Sequence, residues 1–231
     1  LTLVARAKAE CDAVCVSIFV NPLQFNNPDD LRHYPRQLEQ DRGLLTGAGC
    51  DMRFVPEEAS IFQEHSPRLF DLGGQDNILE GPSRPGHFQG VVNVVERLFH
   101  YIRPDAAFFG EKDRQQLAVI QHVAHTLHWP ERIVPCPTER APDGLALSSR
   151  NLRLSPQERA VAPVLYQCLQ SVAGSAFREP VTSAKEHGLR LLRAAPSIRL
   201  EYLEISDPLS LEPLVDWGDR TEAVALVAAW L

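Results

Sequence analysis

The sequence has no uninterrupted apolar stretch long enough to cross a bilayer, so no membrane protein is expected. No secretory or transit pattern opens it. It also lacks a surplus of basic residues: 23 lysines and arginines stand against 30 acids, a formal net charge of −7. That balance argues against a nucleic-acid partner, because gripping phosphates at many points takes a basic face. A nucleotide stays open, since its phosphates feel local charge rather than the total. Cysteine is sparse and odd in number. Cys11, Cys15, Cys50, Cys136 and Cys168 are scattered, which suits reduced thiols better than a disulfide framework. There is no internal repeat and no low-complexity tract. A cytoplasmic protein is the expectation.

What is present is ordinary globular composition, 44% apolar and 23% charged over 231 residues. A chain of that length can bury a core without staples, as one large domain or one domain plus a smaller one. Residues 1–10 read as an amphipathic helix. Residues 13–20 (AVCVSIFV) form a short apolar run with β-branched residues, the pattern of a strand buried on both faces. Helices follow at 35–46, 91–102 and 113–128, and strands at 52–55, 106–109 and 133–136. This alternation predicts an α/β fold with a parallel sheet and helices on its faces. Such a domain normally opens on a strand, so a helix as the first element points to a strand upstream. Further on, Ser155-Pro156-Gln157-Glu158 combines a capping box with proline at the first helical position. A second helix is expected after Pro180, and strands at 200–205 and 223–230. Two helices and two strands make a small α+β unit. Its boundary is placed near Leu147, after the break at Pro142-Asp143-Gly144.

In open α/β sheets, ligands bind outside the carboxyl ends of the strands, and the polar clusters of this sequence fall there. Asn21-Pro22-Leu23-Gln24 follows the first strand, and Gly110-Glu111-Lys112-Asp113, with Gln115 and Gln116, follows the third. Leu147-Ser148-Ser149-Arg150-Asn151 comes after the fourth strand and a turn. Between them lies Ser83-Arg84-Pro85-Gly86-His87-Phe88, a loop with two potential cations. Glycine lets backbone approach a ligand closely, and a helix start offers free N–H groups to an anion. Lys112 is a compact charge and Arg150 a fork of donors for phosphate oxygens. Ser148 and Ser149 add hydroxyls, while Asn21 and Gln24 can orient a polar substrate without titrating.

Each cluster also has a plainer explanation. Asn-Pro after a strand is usually a turn, Gly-Glu-Lys-Asp a solvated loop, and Ser-Ser-Arg-Asn a cap or linker. His87 could simply fill its loop. Only the recurrence of such clusters at strand ends points to a site. His122, His125 and His128 recur every third residue but drift around a helix, which suits a solvated face better than a metal. Cys11 and Cys15, at most one helical turn apart, read as packing residues. Asp29 and Asp30 are expected at or before a helix start.

At these clusters the sequence resembles the pantothenate synthetase (pantoate–β-alanine ligase) family. The likeness is carried by SIFVNPLQF (17–25), SRPGHF (83–88), FGEKD with QQLAVI (109–120), DGLALSSRN (143–151) and YLEISDPLSLEPL (202–214). It implies a Rossmann-like nucleotide- and pantoate-binding domain over 1–147, a small α+β C-terminal lid domain over 148–231, and a homodimer. Carried over by position, Gln24 and Gln116 would contact pantoate, Gln24 also β-alanine, with Asn21 beside it. Gly110, Glu111, Lys112 and Asp113 would bind ATP, as would Leu147, Ser148, Ser149 and Arg150, and Glu139 through its backbone near the adenine. Arg84 and His87 fall in a loop near the site with no role assigned. The implied chemistry is Mg²⁺-assisted attack of pantoate on ATP to give pantoyl adenylate and pyrophosphate. β-Alanine then displaces AMP to form pantothenate, the precursor of coenzyme A, with Lys112 offsetting phosphate charge.

Two positions depart from the family: Arg114 replaces a usual tyrosine, and Glu139 a usual apolar residue. The family's histidine–two residues–histidine motif precedes a helix like residues 1–10. These 231 residues are therefore expected to lack the histidine acid and to show little activity alone. Two rival readings stay open: a nucleotidyltransferase activating another acid, and a non-catalytic nucleotide-binding module.

Overall fold

Two parallel strand pairs organise the first part of the chain. The computed structural model describes residues 1–26, 28–63 and 66–231, and the chain divides into units Leu1–Pro137 and Thr138–Leu231. The division comes ahead of Leu147, for a local reason. Pro142-Asp143-Gly144 is the tip of a hairpin inside the second unit, where Arg140 bridges Ala146 and the Ala141 N–H donates to the Leu145 carbonyl at 2.8 Å.

The first unit runs α1 (Thr2–Glu10), β1 (Cys15–Ser17), α2 (Pro28–His33), α3 (Leu38–Gly47), β2 (Met52–Phe54), α4 (Glu58–Ile61), α5 (His87–Ile102), β3 (Ala106–Gly110), α6 (Arg114–Thr126) and β4 (Arg132–Cys136). β1 pairs parallel with β2, and β3 with β4 from Ala106↔Arg132 to Gly110↔Cys136. Along β3 the side chains alternate between two apolar clusters. Phe108 packs with Val4, Ala7, Val14 and Leu45, beneath α1 and α3. Ala107 and Phe109 pack with Val91, Val95, Phe99 and Ile120, beneath α5 and α6. A strand packed on both faces reads as a continuous apolar run, as AAFF does, though each residue of β3 is only half-buried. The strand expected at 13–20 and expected to be buried on both faces shortens to Cys15–Ser17, half-buried at Cys15 and Val16 and exposed at Ser17. Bonds from Met52 N to Val14 O and from Ile18 N to Phe54 O continue its ladder by one residue each way.

Helix α5 begins at His87 rather than near residue 91, with Gly86 as its N-cap at φ +78°. Its apolar residues face two clusters, Phe88 and Val92 toward Phe70, Leu72 and Val119, the rest toward α4 and β3. Two amides on the helix act as a strand partner for an extended segment. Gln89 exchanges hydrogen bonds with the N–H and C=O of Phe70, and Asn93 with those of Arg68.

Two sequence expectations need correction. Cys11 and Cys15 share no helical turn: Cys11 closes α1 in extended backbone and Cys15 opens β1. The three histidines do not form a solvated helix face either. His122 is half-buried against Gly73, where any β-carbon would lie 2.7 Å from the imidazole. His125 is exposed, and His128 lies past the end of α6 at φ +52°. Asp29 and Asp30 do occupy the first turn of α2.

The second unit contains α7 (Pro156–Val161), α8 (Val164–Ser175), α9 (Val181–Arg193), β5 (Arg199–Ser206) and β6 (Val224–Trp230). The capping box forms as the sequence predicts: Glu158 N–H donates to Ser155 Oγ at 3.2 Å and Ser155 N–H to Glu158 Oε2 at 2.7 Å. The expected single helix from that box breaks into α7 and α8 at Pro163, which has no N–H to continue the ladder. β5 and β6 pair antiparallel, with an irregularity between Leu200 and Tyr202. Cys168, Val172, Ala184, Leu192, Leu203 and Ile205 form the core. Among the described residues, no helix is long and apolar enough to cross a membrane.

Candidate active site

Asn21 starts the site by capping a single 3-10 turn, Pro22–Gln24. Its side-chain oxygen accepts the Leu23 N–H at 3.1 Å, an Asx geometry that asparagine favours after a strand. The plain turn reading of Asn-Pro is therefore right, yet incomplete. Asn21 is only 2% exposed, and its amide donates to the Gly90 carbonyl on α5 at 3.0 Å. It also lies 3.4 Å from Gln24 Oε1, so the two amides share one hydrogen-bonding network.

The turn is fixed to α5 at further points. The Gln24 carbonyl is 2.7 Å from His87 Nδ1, and Asn26 Nδ2 donates to the Pro85 carbonyl at 2.6 Å. Gly90 completes the fit: a β-carbon there would meet the Leu23 carbonyl oxygen at 2.3 Å. Sequence reading passes over Gly90, although a glycine inside a helical pattern signals close packing. His87 belongs to the first helical turn of α5, not to a loop, and is 6% exposed with its ring edge-on to Phe88. Burial pushes its imidazole below the usual pKa, partly offset by the bond to the Gln24 carbonyl. The charges of Arg84, Glu80 and Asp113 also act on the ring, Arg84 against its protonation and the two acids in favour of it. Arg84 pairs with Glu80 at 2.7 Å.

The Gly110 cluster sits at the carboxyl end of β3. Gly110 ends the strand, Glu111–Asp113 make a 3-10 turn, and α6 begins at Arg114. Lys112 Nζ lies 3.2 Å from Asp113 Oδ1, with over a third of the side chain exposed, so the ammonium can be reached by a ligand. Arg114 sits 3.7 Å from Glu111. Gln116 lies in the first turn of α6, half-buried.

Its neighbour Gln115, 4% exposed, plays a part that spacing alone does not reveal. Its amide donates to the Gln75 and Ile78 carbonyls at 2.7 and 2.8 Å and accepts the Glu80 N–H at 3.0 Å. It thereby ties the segment carrying Glu80 and Arg84 to the helix that carries Gln116. A cavity of about 520 Å³ opens beyond β1 and β2, lined by Phe19 and Val20 immediately before Asn21, with Tyr34, Arg36 and Asp41.

In the second unit, Glu139 and Leu147 are joined by a 2.8 Å bond from the Leu147 N–H to the Glu139 carbonyl, closing the hairpin. Gly144 turns it at φ +91°, against the face of Tyr166, and Arg140 stacks on the same ring at 4.1 Å. Arg159 donates to Asp143 at 2.6 Å and holds that carboxyl below its usual range. Ser148 then caps a 3-10 turn, Ser149–Arg153, its hydroxyl accepting the Arg150 N–H at 3.3 Å. Asn151 donates to the Ala146 carbonyl at 2.9 Å. Leu145, Leu147, Ser148, Ser149 and Leu152 line a cavity of about 540 Å³, so these residues gather at one place within their unit.

Comparison with known proteins decides what this arrangement belongs to. The model of the pantoate–β-alanine ligase family matches residues 1–231, the whole chain. The chain belongs to that family. A pantothenate synthetase of Cytophaga hutchinsonii is 44% identical over all of this chain and 82% of its own length. The pantothenate synthetase structure from Thermus thermophilus matches at a TM-score of 0.94 and 45% identity, covering 99% of this chain and 83% of that one. A pantoate–β-alanine ligase structure from Francisella tularensis, described as complexed with β-γ ATP and β-alanine, matches at a TM-score of 0.73. It is 34% identical and covers all of this chain and 83% of that one. The ligase family thus accounts for the Rossmann-like α/β fold with its smaller partner unit.

Proposed function

We propose that the protein joins pantoate to β-alanine at the expense of ATP, through pantoyl adenylate. A carboxylate is a poor acyl donor because its oxygen leaves badly. One pantoate carboxylate oxygen forms a bond to the α-phosphorus of ATP, and the bond from that phosphorus to the bridging oxygen breaks, releasing pyrophosphate. The amine of β-alanine then bonds to the activated carbonyl carbon. AMP departs with the electron pair of the broken C–O bond, and the surplus amine proton passes to solvent.

Positioning is the main task in such a reaction. Gln24 and Gln116 are assigned to pantoate, Gln24 also to β-alanine, with Asn21 holding the Gln24 turn. Lys112 is assigned to the phosphates, where its charge would face the negative charge that develops on the departing pyrophosphate. Gly110, Glu111 and Asp113 accompany it as ATP-binding residues, together with Glu139, Leu147, Ser148, Ser149 and Arg150 of the second unit. The observation that carries this reading is the locking of the Asn21–Gln24 turn onto α5 through Gly90 and His87.

Magnesium is the ion such a reaction uses with ATP, and it supplies charge neutralisation on the phosphates. The described residues contain no group of three or more histidine, cysteine or carboxylate side chains placed to cage a metal. Magnesium is usually held by the substrate phosphates with one or two carboxylates, so it would arrive with ATP, and no step above depends on the ion. A homodimer, implied by the family resemblance, and a cytoplasmic location, expected from the odd, scattered cysteines, complete the reading.

ATP–pyrophosphate exchange with a panel of acids tests the proposal in the full-length enzyme. Exchange with pantoate alone is the expected result. Exchange driven by another acid but not by pantoate would favour a different nucleotidyltransferase. ATP binding without exchange would favour a non-catalytic module.

A further inference from the structure

Assigning Gln24 to pantoate leaves open what fixes Gln24 itself, since a 3-10 turn of three residues has little internal rigidity. We propose that His87 is a positioning residue for the pantoate site: its Nδ1–H, donated to the Gln24 carbonyl, sets the backbone from which the Gln24 side chain reaches the substrate. This rests on the reading of Gln24 as a pantoate contact.

The geometry is specific. His87 Nδ1 lies 2.7 Å from Gln24 O across 63 residues of sequence, within the range of a well-formed hydrogen bond. A carbonyl only accepts, so the ring must carry its proton on Nδ1 in this contact. The residue is 6% exposed and braced by the Phe88 ring, which limits the imidazole's freedom to turn away. Among the described residues, the bond also has no substitute at the Gln24 carbonyl. Asn21 fixes the start of the turn through Leu23 N–H and Gly90 O, and Asn26 holds the chain beyond it through Pro85 O. The other bonds of the turn's backbone are weaker: Gln24 N–H reaches Asn21 O at 3.4 Å and Phe25 N–H reaches Pro22 O at 3.2 Å. Of the side-chain bonds to this turn, the one from His87 is made at the Gln24 peptide. Burial favours the neutral ring, while Arg84 opposes and Glu80 and Asp113 favour its protonation, and both forms keep Nδ1–H.

Three substitutions in the full-length enzyme test this. Asparagine places its amide nitrogen roughly where histidine has Nδ1, glutamine roughly where it has Nε2, and leucine supplies bulk without a donor. His87→Leu should raise the KM for pantoate by about fivefold or more, the scale of one lost buried hydrogen bond. The KM for ATP should stay within about twofold of wild type, because the donor acts through Gln24, which is assigned to pantoate and β-alanine and not to ATP. His87→Asn should recover most of the pantoate affinity and His87→Gln should not. Equal impairment of His87→Asn and His87→Gln, or a parallel rise of both KM values, would overturn the proposal. Should His87→Leu fail to fold, the Asn–Gln contrast decides the matter alone. Wild-type enzyme that lacks pantoate-dependent exchange would reject the assignment of pantoate itself. Normal wild-type exchange with an unaffected His87→Leu variant would reject only the role of His87.

Discussion

Gly90→Ala sets two physical effects against each other. Gly90 is in the second turn of α5, and in an exposed helix alanine would be favoured over glycine by about 0.8–1.0 kcal/mol. Here the new methyl would sit 2.3 Å from the Leu23 carbonyl oxygen and 2.6 Å from its carbon. Both are backbone atoms, so no side chain can swing aside, and overpacking of this kind typically costs about 1–3 kcal/mol. Pushing the turn away would also weaken the bond from Asn21 Nδ2 to Gly90 O, which contributes about 0.5–1.5 kcal/mol. The helix gain is the smaller quantity, so the net expectation is destabilisation by about 1–3 kcal/mol. Because the relief runs through Leu23 and Gln24, pantoate affinity should fall as well. Urea unfolding measures the first effect and steady-state kinetics with pantoate varied the second. An alanine variant as stable as wild type and unchanged toward pantoate would refute the close packing of this turn on α5.

Other perturbations test other parts of the structure. Gln115→Leu strands the Gln75 and Ile78 carbonyls and the Glu80 N–H, and should lower stability by about 2–4 kcal/mol in denaturant titration. Ser155→Ala removes one half of the capping box and should cost about 1 kcal/mol by the same method. The Val14 N–H, then Lys8, hold the Asp51 carboxyl below its usual pKa. A depressed folded pKa contributes stability above the unfolded value, near about 3.9, that is lost as pH falls through the folded one. Asp51→Asn should therefore weaken the protein at neutral pH and flatten its loss of stability below about pH 4, read from melting temperatures across pH.

What is legible in the sequence is what local physics decides. The capping box at Ser155 involves four consecutive residues, and it forms as written. The apolar run at 106–109 reads as a strand, and it is one, with side chains in an apolar cluster on either face. The strand-end clusters also hold their places, Asn21–Gln24 after β1 and Gly110–Asp113 after β3. Expectations fail where a residue's meaning depends on a remote partner. Gly86 and His87 read as part of a loop ahead of a helix at 91. Packing of Phe88 and Val92 against Phe70 and Val119 settles Gly86 as a cap. Gln115 looks like a polar helix residue until the Gln75–Glu80 segment folds onto it. The hairpin at Gly144 reads as a domain break because nothing in its own sequence shows Tyr166 and Arg159 closing over it.

Isotope transfer tests the chemistry at its source. Pantoate labelled with oxygen-18 in its carboxylate, turned over with ATP and β-alanine by the full-length enzyme, should deliver one labelled oxygen to the phosphate of AMP. Unlabelled AMP alongside normal pantothenate formation would mean that no pantoyl–phosphorus bond ever forms, and the roles proposed for Lys112 and the Gln24 turn would be wrong.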